Sequence, residues 1–289
     1  MRLFEGLQSS DCAVQLTSRE AVAMMPARGG ETAWQGSVEL PAGAVQPALR
    51  GDGVNAGPLQ AALRELVAGA PRRIGAVTLV LPDACAALRI VPIDAEEAPG
   101  KRAGEEILRW ALRDALPFPQ DEALIDTQLF DGHRPWHLLV AAAHRDTLRR
   151  FEDATAVVGP VVRTLPALLA CGWMIDDEDG PHLVVHADDD ALGCMIWSAG
   201  APLFVRTRRL PSRAAALGAV IETLEFAVAR LGTEPGRATV LGVLAGDDEL
   251  EAALTARGWS LWHTPDAGDV PGARYGALAG ALRAAEAGA

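Results

Sequence analysis

The chain has 289 residues, of which 49% are hydrophobic and 22% charged, and its formal net charge is -12. Such a chain can bury a sizeable core in one large domain or two ordinary ones, and its composition excludes disorder and fibrous repeats. The acidic balance argues against a nucleic-acid partner, because a polyphosphate needs a basic stripe and would meet a repulsive mean field here.

In chain order, "CAVQLTSREAVAMM" (12–25), "TAWQGSVEL" (32–40), "AVTLVLPD" (76–83) and "AALRIVPI" (86–93) read as strand segments separated by Gly and Pro turns. Between them, "PLQAALRELVAG" (58–69) reads as a helix with Pro58 in its first turn and Leu59, Ala62, Leu63 and Leu66 on one face. A second helical stripe, Ile107, Leu108, Ala111, Leu112 and Ala115, has Arg109 and Arg113 opposite it and Trp110 at its border. Pro117 and Pro119 stop that helix, since proline lacks an amide proton and restricts the residue before it. "ALIDTQLF" (123–130) and "WHLLVAAA" (136–143) then read as paired strands, and "RDTLRRFEDATAVVG" (145–159) as an amphipathic helix.

"DDEDG" (176–180) is a solvated turn and the expected boundary between halves. Beyond it come strands 182–187, 191–200 and 202–210, a long helix Ser212–Leu231, a strand 238–246, a helix 248–258, a short strand 259–263 and a final helix 274–287. The resulting order is β-β-β-α-β-α-β-α, with a decorated version of it in the first half. In the last helix Gly276 and Gly280 leave one side with little bulk, which permits a close backbone approach.

The chemistry-bearing residues are sparse. Cys12, Cys85, Cys171 and Cys194 are far apart, so buried thiols in a reducing compartment are the expectation. No pair of the six histidines has a spacing that a metal selects, and "HRPWH" (133–137) contains a proline that prevents a helical ligand face. "GDGVNAG" (51–57) has the wrong glycine spacing for a dinucleotide loop and follows no strand. No secretory signal is visible, and the longest apolar stretch, "PALLACGWMI" (166–175), is about half the ~20 residues of a membrane-spanning helix.

"LPD" (81–83), "LRWALRDALPFPQDEALIDTQ" (108–128) and "LLVAAAHRDTL" (138–148), in that order, together with "PLFVRTRRL" (202–210) and "GALAGALRAA" (276–285), resemble the type IV pilus assembly protein PilM and the cytoplasmic domains of type II secretion GspL proteins. The resemblance implies an α/β, actin-like fold: two RNase H-like lobes of mixed sheets flanked by helices. The first would span 1–175 with a small inserted subdomain at about 94–143, and the second 181–289. It implies a cytoplasmic scaffold with no catalysis, held at the inner membrane by the tail of a bitopic PilN-like partner, with self-association left open. Arg109, Trp110, Arg113 and Phe118 would then border the peptide groove, or Trp110 and Phe118 would be core.

Actin-like nucleotide sites depend on two Asp-x-Gly turns whose backbone amides face phosphate. The corresponding places here hold Gln15 and Thr17 in the first half, and His186 and Asp188 in the second, with Asp189 and Asp190 following. Of the adenosine-contacting glycine pair, Gly246 remains beside Ala245. These positions make a vestigial nucleotide site the expectation, with no cofactor and no resident metal. The acidic triplet would be a solvated hairpin turn, since three carboxylates repel a triphosphate. The alternative is an ATP-binding or ATP-hydrolysing member of the actin/hexokinase-like superfamily.

Overall fold

The computed structural model describes residues 10–27, 33–51, 53–93, 106, 108, 110, 112–113, 116, 118–130, 136–175, 180–210, 212–263 and 273–287. The expected segment 12–25 is a hairpin of β1 (Cys12–Leu16) and β2 (Glu20–Met25), followed by β3 (Trp34–Glu39). Helix α1 (Ala56–Ala68) buries Leu59, Ala62, Leu63 and Leu66, the face that its 3.6-residue spacing predicts. Next come β4 (Val77–Leu81), a single turn at Asp83–Cys85 and β5 (Ala87–Ile93). Strands β6 (Ala123–Phe130) and β7 (Trp136–His144) lead into helix α2 (Arg145–Thr155).

One strand escapes the pattern. β8 (Val161–Pro166) runs directly into the short helix α3 (Ala167–Gly172), so strand and helix read as one apolar stretch. The second half holds β9 (His182–Ala187), β10 (Ala191–Ser198), β11 (Ala201–Arg209), α4 (Ala216–Leu231), β12 (Arg237–Gly242), α5 (Asp248–Thr255), β13 (Ser260–Leu261) and α6 (Gly276–Ala287). That is the predicted order.

The strands form two five-stranded sheets with one plan, β3-β2-β1-β4-β8 and β11-β10-β9-β12-β13. In each, a three-strand antiparallel meander is extended on its far side by parallel strands. A third sheet, β5-β7-β6, is antiparallel throughout. It takes in β5, so it begins before position 94, where the inserted element was expected. The turn 176–179 expected between the halves lies outside the described residues.

Helix α6 packs against α3, β1 and β4 as well as β12, which places this C-terminal helix between the two large sheets. Its glycines make that approach close: a Cβ at Gly280 would run into the Ala170 carbonyl, and one at Gly276 would press on Leu241. A continuous apolar cluster results, joining Val80, Leu165 and Leu168 from the first half to Val184, Met195, Leu241 and Leu278 from the second.

Candidate functional site

The β1–β2 and β9–β10 hairpin turns, where a vestigial nucleotide site was expected, are each closed by their own side chains. Between β1 and β2, Thr17 Oγ1 accepts from the amides of Arg19 at 3.2 Å and Glu20 at 3.0 Å. Between β9 and β10, one oxygen of Asp188 accepts from the amides of Asp190 at 2.9 Å and Ala191 at 2.7 Å. Both are the local side-chain-to-backbone bonds that Thr and Asp favour in turns. The consequence is chemical: amides that an anion would recruit already have acceptors.

Asp188 corrects the expectation of a solvated turn. It is only 4% exposed, and its second oxygen has no hydrogen-bond partner among the described residues. Burial pushes its carboxyl up to about 6, against the opposing pull of the His186 imidazole. Asp189 instead faces outward and pairs with Arg19 at 3.3 Å, joining the tips of the two hairpins. Gln15 is buried on β1, its carbonyl oxygen unpartnered. Gly246, at φ +71°, turns the chain toward α5, whose N-terminus is capped by Asp247 through the Leu250 amide.

A cleft of about 1100 Å³ opens beside these turns, bordered by Arg19, Glu20, Arg50, Asp189, Arg209 and Arg274. Three of its arginines are in ion pairs: Arg19 with Asp189, Arg274 with Glu20 at 3.4 Å, and Arg50 with Glu122 at 3.4 Å. Among the described residues there is no group of three side chains able to hold a metal ion. The four cysteines are buried and unpaired, and burial pushes Cys12, Cys85 and Cys194 up to about 12, so these thiols are unreactive.

The centre of this region is a residue that sequence reading passed over. Asp83, 1% exposed, accepts the Leu168 amide at 2.7 Å and pairs with His186 Nδ1 at 2.8 Å. "LPD" signals an acid at the end of an apolar strand, but nothing in the sequence shows that its partner lies 103 positions away.

The four residues expected at a peptide groove separate. Phe118 is buried, 6% exposed, with its ring edge-on to His144 at 5.3 Å, so it anchors the Leu-Pro-Phe-Pro break to the end of β7. This corrects its assignment as a binding residue. Trp110 is 73% exposed and Arg113 is exposed too, while Arg109 lies outside the described residues.

A different place has the character of a groove. Gln128 and Phe130 from β6, Leu169, Gly172, Trp173 and Ile175 from α3 and its C-terminal extension, and Met195, Trp197 and Gly200 at β10 line an apolar hollow of about 270 Å³. Phe130 and Trp197 meet edge to face at 5.4 Å. β6 is an edge strand of its sheet, so one side of its backbone is not paired within that sheet.

No protein-family model and no curated protein matches the sequence. Solved structures do match. A PilM-PilN type IV pilus biogenesis complex gives a TM-score of 0.73 at 16% identity, over 96% of this chain and 98% of that one. A Bacteroides thetaiotaomicron protein with an actin-like ATPase fold and unknown function gives 0.58 at 10% identity, over 96% of each chain. The cytoplasmic domain of EpsL, an inner-membrane component of the Vibrio cholerae type II secretion system, gives 0.51 at 16% identity, over 80% and 82%. The chain has the actin-like fold that these proteins share.

Proposed function

We propose that this chain is a scaffold of a pilus or secretion assembly, one that receives the cytoplasmic tail of an inner-membrane PilN-like partner in the groove between β6, α3 and β10. The observation that carries the reading is that groove, with half-buried Phe130, Trp173 and Trp197, on a body whose fold matches 98% of a chain in a PilM-PilN complex. Aromatic anchors bordered by an edge strand suit an extended peptide, which can pair its backbone with the strand and bury alternate side chains. No helix among the described residues is long and apolar enough to cross a membrane.

The same reading assigns no ATPase activity. Thr17 and Asp188 occupy the turn amides, and the Asp188–Asp190 stretch sets carboxylates where phosphates would lie. Two titrations test both halves of the proposal. A fluorescent peptide copying the cytoplasmic tail of a PilN-like protein from the same genome should bind, weaken strongly with Trp197→Ala or Trp173→Ala, and change little with Trp110→Ala. If Trp110→Ala is the damaging change, the tail docks at exposed Trp110 instead. A fluorescent ATP analogue with magnesium should show no micromolar binding; saturable binding in that range would return the chain to the nucleotide-handling class.

A further inference from the structure

The Asp83 carboxylate touches three elements at once. One oxygen holds the Leu168 amide at the start of α3, and the other holds His186 on β9. β10 passes against the same group, since a Cβ on Gly193 would stand 3.1 Å from Asp83 Oδ2. From there α3 continues to Leu169, Gly172 and Trp173, and β10 continues on the same face, two residues at a time, to Met195 and Trp197. Those are two walls of the apolar groove. One buried carboxylate therefore bonds α3 directly and reaches β10 through His186, which is paired in register with Gly193 across the β9–β10 ladder.

We infer that Asp83 and His186 are positioning residues for the groove, their buried pair fixing the separation of α3 and β10 so that the groove is preformed for a peptide. The inference rests on the tail-docking reading for its ligand but makes a claim about the walls that stands without any ligand.

The pair also carries a pH dependence whose direction is fixed. Burial opposes charging of His186, yet the Asp83 charge and hydrogen bond, with Asp188 adding, hold its pKa above the ordinary 6.5. The other titratable groups near the pair are Asp188 itself, Cys85, Cys171 and Cys194, with Arg206 and Arg208 of β11 acting on Cys194. The thiols stay neutral because burial raises all three. Above about 6, Asp188 ionises and supports the imidazolium. A base with a raised folded-state pKa contributes fully below its unfolded value and loses that contribution as pH rises through the folded value. The groove should accordingly loosen on the alkaline side.

The test compares wild type with Asp83→Asn and His186→Gln. Amide exchange at fixed pH should speed up about tenfold at Leu168 and along β10 while β1 and β4 keep their protection, a local opening separable from global unfolding. Affinity for the fluorescent tail peptide should fall in wild type as pH rises through the raised pKa of His186, and His186→Gln should flatten that profile. Unchanged exchange at Leu168 and β10, or uniformly faster exchange throughout the chain, would overturn the inference. A tail that binds through Trp197 with no pH profile and no loss in Asp83→Asn would overturn it and leave the docking reading intact. Local opening without any Trp197-dependent peptide binding would uphold the positioning claim and sink the docking reading.

Discussion

The cleft and the groove are both built where the first-half sheets meet the second, yet they are finished in opposite ways. In the cleft, Thr17 and one oxygen of Asp188 close their own hairpins, and Arg19, Arg50 and Arg274 each have an acidic partner, while the second Asp188 oxygen is buried without one among the described residues. In the groove, Phe130, Trp173 and Trp197 are only half-buried, and the lining is mostly apolar. Polar groups that are satisfied internally have little to gain from a ligand, whereas half-buried aromatic surface has. Under the docking proposal, the smaller, apolar hollow is the receptive one.

The strongest way to break this contrast is to move a wall. Gly280→Val puts a side chain where the Ala170 carbonyl lies, so α6 must back away from α3, and we expect a loss of about 3 kcal/mol in urea unfolding. The control is Gly218→Ala on α4, where a Cβ meets nothing within 4 Å. There the better helix former should add about 0.5–1 kcal/mol. Equal effects at the two glycines would mean that α6 does not depend on the close approach.

Asp188→Asn sharpens the cleft side. An acid raised from 3.8 to about 6 binds more protons folded than unfolded between those values. Wild-type stability contributed by this group therefore falls as pH rises through that window, by about 2–3 kcal/mol. Asn keeps the acceptor for the Asp190 and Ala191 amides and does not ionise. The stability difference between variant and wild type should grow between pH 4 and pH 6.5 and then level off; a flat difference would place Asp188 in contact with solvent.

For the groove, Trp197→Ala should cost about 2 kcal/mol of tail affinity, roughly thirtyfold, as a central aromatic anchor does. The smallest effect belongs to the hairpin tips. The Arg19 side chain is mostly exposed, so a double-mutant cycle with Asp189 should return a coupling below about 1 kcal/mol that fades with salt. A larger coupling would make that ion pair a structural lock on the cleft.

Much of the architecture was legible. The repeat of strand-strand-strand-helix-strand-helix in the second half follows from local alternation and 3.6-residue stripes, which short-range sterics enforce. Gly276 and Gly280 announced a tight approach, and α3 proved to be what Gly280 approaches. β8 was not legible, because "VVRTLP" merges with the apolar helix behind it and offers no turn between them.

The remaining features depended on contacts between distant segments. Trp110 and Phe118 have the same apolar character on either side of one helix break, and only packing against His144 puts Phe118 inside while Trp110 faces solvent. Composition and periodicity determined two halves with a like order of strands and helices, because those properties are set by residues near one another along the chain. The meeting of Asp83 with His186, and of β6 with α3 and β10 around an apolar hollow, was decided by tertiary structure alone. Burial is a property of the assembled whole, and a carboxylate or an indole carries no mark in sequence of which distant backbone will cover it.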